Sequence, residues 1–323
     1  MKPFIAVILS CFLAAPSFGA FNSTAIWRTS TVSSSDNNGG AYDPGVGSPG
    51  TDESTSAGVA ITVTSASTTT GTGSPAFSAT THGPGNFVNI SSGTGCTTGT
   101  FEILSQAAGT ATFDRAFADM AGRACVGRIG GPLASPVTAV SRMAGGNIVC
   151  IKADGTYSVS SGVGPPAGVS VDHPTVMQGY TSTCPTNDFG QATIQASAVG
   201  FLLYNTGNNY QAVLNLVLDC NSQAGSNGLW FNNSGVLVDN VLVKTCAGIG
   251  INVQSGPSNI ITNTRVTGGL SGCSEGINWA GSGAMVGVLV DTNQCTGVVV
   301  GAGVALSCMY SVSANNTGAT SDG

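Results

Sequence analysis

The sequence predicts an all-β chain whose C-terminal half winds into a parallel β-helix, with a smaller β-rich leader and cap in front of it. Composition is the first observation: 47 glycines and only 7% charged residues in 323 leave few strong helix formers and many turn formers. The second is a short alternating block that recurs as Leu216-Val217-Leu218-Asp219, Val241-Leu242-Val243-Lys244, Thr264-Arg265-Val266-Thr267 and Val288-Leu289-Val290-Asp291, at spacings of 25, 23 and 24 residues. The third is another such block, Gly228-Leu229-Trp230-Phe231, Gly248-Ile249-Gly250-Ile251, Gly276-Ile277-Asn278-Trp279 and Gly297-Val298-Val299-Val300, at spacings of 20, 28 and 21. A repeat of this length with no helical segment has the size of one solenoid coil. Such a coil buries its apolar residues only when the next one stacks about 4.8 Å above it.

Residues 1–20 carry one cation, Lys2, an apolar run from Phe4 to Ala15 broken by Ser10, and small residues around Ser17, Gly19 and Ala20. That pattern predicts a secretory signal peptide. The run is too short to span a bilayer, and no other stretch approaches the roughly 18 to 20 apolar residues a membrane helix needs. Cys11 does not make a lipoprotein site, because the apolar run continues past it to Ala15.

Residues 21–140 form the leader and a small β module. Up to about residue 80 the chain is rich in Ser, Thr and Gly, with turn signals at Asn38-Gly39-Gly40 and Asp43-Pro44-Gly45, and reads as loosely ordered. Phe87-Val88-Asn89-Ile90, Thr100-Phe101-Glu102-Ile103-Leu104 and Ala111-Thr112-Phe113-Asp114 read as strands, followed by a short helix over Arg115 to Met120.

Residues 141–323 form the β-helix. Alternation places Leu216, Leu218, Val241, Val243, Val266, Val288 and Val290 inward, as core. Cys246, Cys273 and Cys295 precede the second block's glycines by two or three residues and predict one column, read chiefly as stacked thiols, with a disulfide between two of them as the alternative. Removing Cys11 with the signal peptide leaves nine cysteines, so at least one thiol stays free or pairs outside the chain. The last residues, Ser313 to Gly323, lack a capping segment, which predicts that the β-helix continues in a longer protein.

The stretch Gly146-Asn147-Ile148-Val149-Cys150-Ile151-Lys152-Ala153-Asp154-Gly155-Thr156-Tyr157 resembles the opening coil of the pectate-lyase-like superfamily of right-handed parallel β-helix proteins. Upstream, Trp27-Arg28, Asn37-Asn38-Gly39-Gly40, Gly50-Thr51-Asp52, Gly99-Thr100-Phe101-Glu102-Ile103, Phe113-Asp114-Arg115 and Val126-Gly127-Arg128-Ile129-Gly130-Gly131-Pro132-Leu133-Ala134-Ser135-Pro136 are similar to the leader before such helices in environmental bacterial and phage-associated proteins. The resemblance implies a right-handed winding. It leaves activity open, because the fold hosts lyases, hydrolases, adhesins and proteins with no known reaction.

Enzymes of that superfamily use calcium-assisted elimination with an Arg or Lys base, or hydrolysis with paired carboxylates. The acidic residues of the legible coils are Asp219, Asp239, Glu275 and Asp291, and the bases are Lys244 and Arg265. Asp219 and Asp291 end the same strand column three coils apart, about 14 Å at the coil rise, beyond the roughly 5 to 9.5 Å that paired carboxylates need. Asp239 and Glu275 fall in turns. Lys244 reads as a surface ion-pair partner of Asp219. Arg265, outward between Leu242 and Leu289, is the one candidate base by analogy to the lyases and stands without an acidic cluster. Trp230 and Trp279 read as core, although an exposed one could stack on a sugar ring. His82 and His173 read as solvated loop residues.

No cofactor-binding or metal-binding residue is assigned, and calcium enters only under the lyase alternative. A net charge of −6 with nine Lys and Arg and no basic cluster excludes a nucleic-acid partner. The expected protein is therefore a secreted or cell-surface β-helix, non-catalytic, contacting polysaccharide or cell-surface glycans. The alternative is a polysaccharide lyase or glycoside hydrolase whose site lies on coils beyond this sequence.

Overall fold

The structure, a computed structural model, describes residues 26–31, 59–77, 86–97, 99–130, 132–182, 184, 188–198, 200–205, 209–269, 273–291, 296–309 and 311–314. The signal-peptide segment, Cys11, His82, Cys295 and the residues after Ala314 lie outside the described residues.

Three parallel sheets stack rung upon rung, as the repeats predict, to make a parallel β-helix. The first sheet runs in order through Ile26–Thr29, Ile148–Lys152, Thr175–Tyr180, Gln211–Leu214, Leu237–Asp239, Asn259–Thr262, Gly283–Val286 and Leu306–Met309. The second contains Thr156–Val159, Ala192–Ala196, Leu216–Asp219, Leu242–Lys244, Arg265–Thr267, Leu289–Asp291 and Val312–Ala314. The third contains Phe201–Asn205, Asn227–Phe231, Ile251–Val253, Glu275–Trp279 and Thr296–Val300. All seven residues assigned inward from alternation are buried in one continuous core.

The bend from first to second sheet is made by a single left-handed residue in successive rungs: Asn215, Asn240, Asn263 and Gly287, with φ of 54°, 52°, 47° and 64°. Asparagine tolerates this conformation because its amide can bond locally. The Asn240 Nδ2 donates to Asn215 Oδ1 at 2.8 Å, and Asn263 Nδ2 donates to Asp239 Oδ1 at 2.8 Å, so the bends also tie rungs together.

The third sheet begins with a glycine column, and here the register differs from the expectation. Leu229 pairs with Ile251, which aligns Gly228 with Gly250 rather than Gly248. A Cβ on Gly250 would stand 2.5 Å from both Val266 Cγ1 and the Gly276 carbonyl oxygen, so only glycine lets this sheet approach the second so closely.

Cys246 is bonded not to a cysteine above it but to Cys220 on the rung below, with Cα atoms 4.8 Å apart. The rung spacing supplies the geometry as argued, while the expected thiol stack gives way to a disulfide. Cys273 is disulfide-bonded too, and Cys96–Cys125 and Cys150–Cys184 are further bridges. Among the described residues Cys308 is a free, exposed thiol.

The stretch read as loosely ordered contains the strand Ile26–Thr29, which pairs in parallel with Ile148–Lys152 as the first rung of the β-helix. Between these two partners the chain forms a closed antiparallel barrel, ordered Val59–Ser65, Thr70–Ser74, Thr110–Phe113, Gly99–Ala107, Phe87–Ser92, Ala124–Gly130 and back to the first. Its separate core packs Phe77, Phe101, Phe113 and Phe117 edge to face. The helix expected over Arg115 to Met120 is absent there: those residues turn back and bridge through Ala118 to Cys96. A helix forms instead over Pro136–Arg142, where Ser135 caps it by accepting from the Val137 N–H at 3.1 Å and proline occupies the first turn. Its Ala139 and Val140, with Met143 after it, join the main core and cover the open end beside Val149 and Ile151.

Candidate functional site

The second sheet carries four of the charged residues singled out from the sequence, Asp219, Lys244, Arg265 and Asp291. Pairing aligns Gln195, Asp219, Lys244, Thr267 and Asp291 in one column, which leaves Asp219 and Asp291 three strands apart, about 14 Å. Lys244 Nζ lies 3.2 Å from Asp219, the ion pair expected. Asp219 also accepts from Gln195 Nε2 at 3.2 Å, the Asn221 N–H at 2.8 Å and Thr245 Oγ1. Burial acts to raise its pKa, yet these donors and Lys244 together hold it below the ordinary carboxylate value.

Arg265 does lie between Leu242 and Leu289, but it does not stand alone. Its guanidinium grips Asp291 through Nε at 3.1 Å and Nη2 at 2.8 Å, the bidentate fit that guanidinium makes with a carboxylate. The bonds from Arg265 depress the Asp291 pKa, and those to Asp291 raise that of Arg265, the wrong direction for a residue that must surrender a proton to act as a base.

Asp239 and Glu275 lie in strands rather than turns. Asp239 ends a first-sheet strand and accepts from Thr262 Oγ1 at 2.7 Å and Asn263 Nδ2 at 2.8 Å. Glu275 opens a third-sheet strand opposite Thr296. The described residues bring no three His, Cys, Asp or Glu side chains together, so they do not fit the converging oxygen set that a lyase's calcium requires. His173 is exposed, in a turn closed on Ser170.

The third sheet offers a different surface. Leu229, Phe231, Ile251, Val253, Ile277 and Trp279 belong to the core, so the alternate positions Trp230, Asn252 and Asn278 point away from it in one column, above Tyr204. Trp279 is 0% exposed and is core, as expected. Trp230 is half-buried, Tyr204 is 40% exposed, and Phe201 meets the Trp230 ring edge-on with centroids 4.0 Å apart. These three rings and Gly162 line a hollow of about 340 Å3, and none of these described lining residues is charged. Gly162 is needed there, because a Cβ would stand 2.7 Å from the Tyr204 ring. Trp230 Nε1 and Asn252 Oδ1, on adjacent rungs, are buried without hydrogen-bond partners. Phe201, Tyr204 and Gly162 were not found from the sequence. Their signal is the apolar run Phe201-Leu202-Leu203-Tyr204, which lies upstream of the legible repeats and whose preceding Gly200 is out of register with the later glycines, because Leu203 rather than Phe201 pairs with Leu229.

No family model matches the chain, and no curated protein matches it. Among solved structures, pectate lyase Pel9A is similar, at 15% identity and a TM-score of 0.49. That match covers 60% of this chain and 51% of the other, so the chain spans about half the length of that lyase. By its own strand pairing the chain has a parallel β-helix fold. No helix among the described residues is long and apolar enough to cross a membrane.

Proposed function

We propose that this protein is an exported β-helix that binds neutral polysaccharide through the third-sheet hollow and does not cleave it. The hollow formed by Phe201, Tyr204 and Trp230 carries the reading: aromatic faces suit the C–H faces of uncharged sugar rings, and the described lining residues offer an acidic polymer no cation. The carboxylates and bases of the second sheet are paired with one another, which argues against either lyase or hydrolase chemistry on these coils. Disulfides in both the barrel and the β-helix favour an oxidising compartment.

Titration calorimetry with soluble β-glucan, xylan and polygalacturonate tests the reading. Heat is expected from at least one neutral polymer and none from polygalacturonate. Trp230→Ala should weaken binding about tenfold or more, the loss of one stacked ring being worth roughly 1.5 kcal/mol or above. Binding to polygalacturonate alone, or release of unsaturated products or reducing ends from any of the three, contradicts it.

A further inference from the structure

The barrel meets the β-helix through side chains on its outer wall. Phe87 and Glu102 are cross-strand neighbours that belong to no barrel core, yet they are only 2% and 5% exposed. What they meet is Arg28 of the first rung, itself 0% exposed. The Arg28 guanidinium lies over the Phe87 ring, 4.8 Å from its centre. Its Nη2 donates to Asp114 Oδ2 of the barrel at 2.6 Å and to the Cys184 carbonyl of the β-helix at 3.2 Å. One buried arginine thus joins the two bodies.

Glu102 is the incomplete member of this cluster. Its Oε2 lies 3.8 Å from Arg28 Nε, too far for a hydrogen bond, and is buried with no donor. Asp114 has the closer claim on both Arg28 and Arg115. A carboxylate taken from water and given only a distant cation disfavours the contact that buries it, and a protonated carboxyl does so far less.

We propose that Glu102 is a proton-operated latch: protonation seats the barrel firmly on the first rungs of the β-helix, and ionisation loosens it. The groups that face it are Arg28, Lys152 and Tyr180 from the β-helix and Asp114 from the barrel, with Arg115 held against Asp114. Burial raises the Glu102 pKa above its ordinary value, with Asp114 adding to the rise and Arg28 and Lys152 opposing it. Tyr180, whose pKa burial and the charge of Glu102 push well above the ordinary tyrosine value, stays neutral throughout. The sign follows: a group that binds its proton more tightly when docked contributes docking stability below its undocked pKa, and loses it as the pH rises through the docked one.

The test is hydrogen exchange on the full chain from about pH 4 to pH 8, a range that brackets ordinary and raised carboxylate values, with protection corrected for intrinsic exchange and read in residues 26–31 and 99–107. Wild-type protection there should rise severalfold, up to about tenfold, as the pH falls, while the barrel interior near Phe113 stays unchanged. Glu102→Gln, neutral and of the same shape, should hold the high value at every pH. A flat wild-type profile overturns the proposal. So does a Glu102→Gln profile that follows the wild type, or one that is less protected than wild type at neutral pH. Should the variant misfold, the carbon-13 titration of the Glu102 carboxyl in wild type decides: a midpoint at or below the ordinary glutamate value is equally fatal.

Discussion

The outer faces of the second and third sheets are built on the same rungs and share one core, but they treat side-chain chemistry in opposite ways. On the second sheet, residues on adjacent rungs meet as Lys244 with Asp219 and Arg265 with Asp291, so the charges consume one another. On the third sheet the outward column is aromatic and amide, and the rings of Tyr204 and Trp230 keep part of their surface in solvent. Stacking about 4.8 Å apart turns every column into a set of neighbours. Charged columns therefore self-neutralise, whereas aromatic columns leave faces that nothing in the column satisfies.

The largest effect should come from breaking what the two faces share. Val243 is fully buried and touches both sheets, lying against the backbone at Gly228. Val243→Asp would place an unpaired charge in the continuous core at a cost of roughly 3 to 5 kcal/mol or more, and should abolish cooperative thermal unfolding of the β-helix. Survival of that transition would mean that the inward and outward faces are swapped. A smaller effect separates the faces. Arg265→Ala should leave glycan binding unchanged and remove the stability that the Arg265–Asp291 ion pair adds at neutral pH. Asp291, with its pKa depressed by Arg265, adds stability above its unfolded pKa and loses it as the pH falls through the folded one. Wild type and variant should therefore differ at neutral pH and converge in strong acid. A loss of glycan binding in Arg265→Ala would move the site to the second sheet.

Legibility in the sequence followed the same division. The second-sheet strands were readable because each follows a sharp left-handed bend, so alternation begins at a fixed point and the inward residues Leu216, Val243, Val266 and Val290 follow from it. The third sheet was less so: Gly248 and Gly250 differ by two, the strand period itself, and alternation cannot choose between them. Cys220 was overlooked as a partner of Cys246 because it ends a second-sheet segment rather than preceding a third-sheet glycine. The first rung was hidden by distance, with the barrel lying between Thr29 and its bridge partner Leu133. The hollow could not be read, since Gly162 comes from a separate segment and is joined to Tyr204 only through the bridge of Val163 to Leu203.

The central claim is that Trp230, rather than any charged residue, meets the ligand, and the chain carries its own probes for it. Trp27, Trp230 and Trp279 each give an indole N–H signal in a nitrogen-15 correlation spectrum, and they occupy three different environments. Trp27 Nε1 donates to Asn147 Oδ1 at 3.2 Å, Trp279 is sealed in the core, and Trp230 lines the hollow. Titration with a neutral oligosaccharide that binds by calorimetry should move the Trp230 signal in a saturable way while the Trp27 and Trp279 signals stay in place. Binding with all three indole signals unmoved would contradict the account.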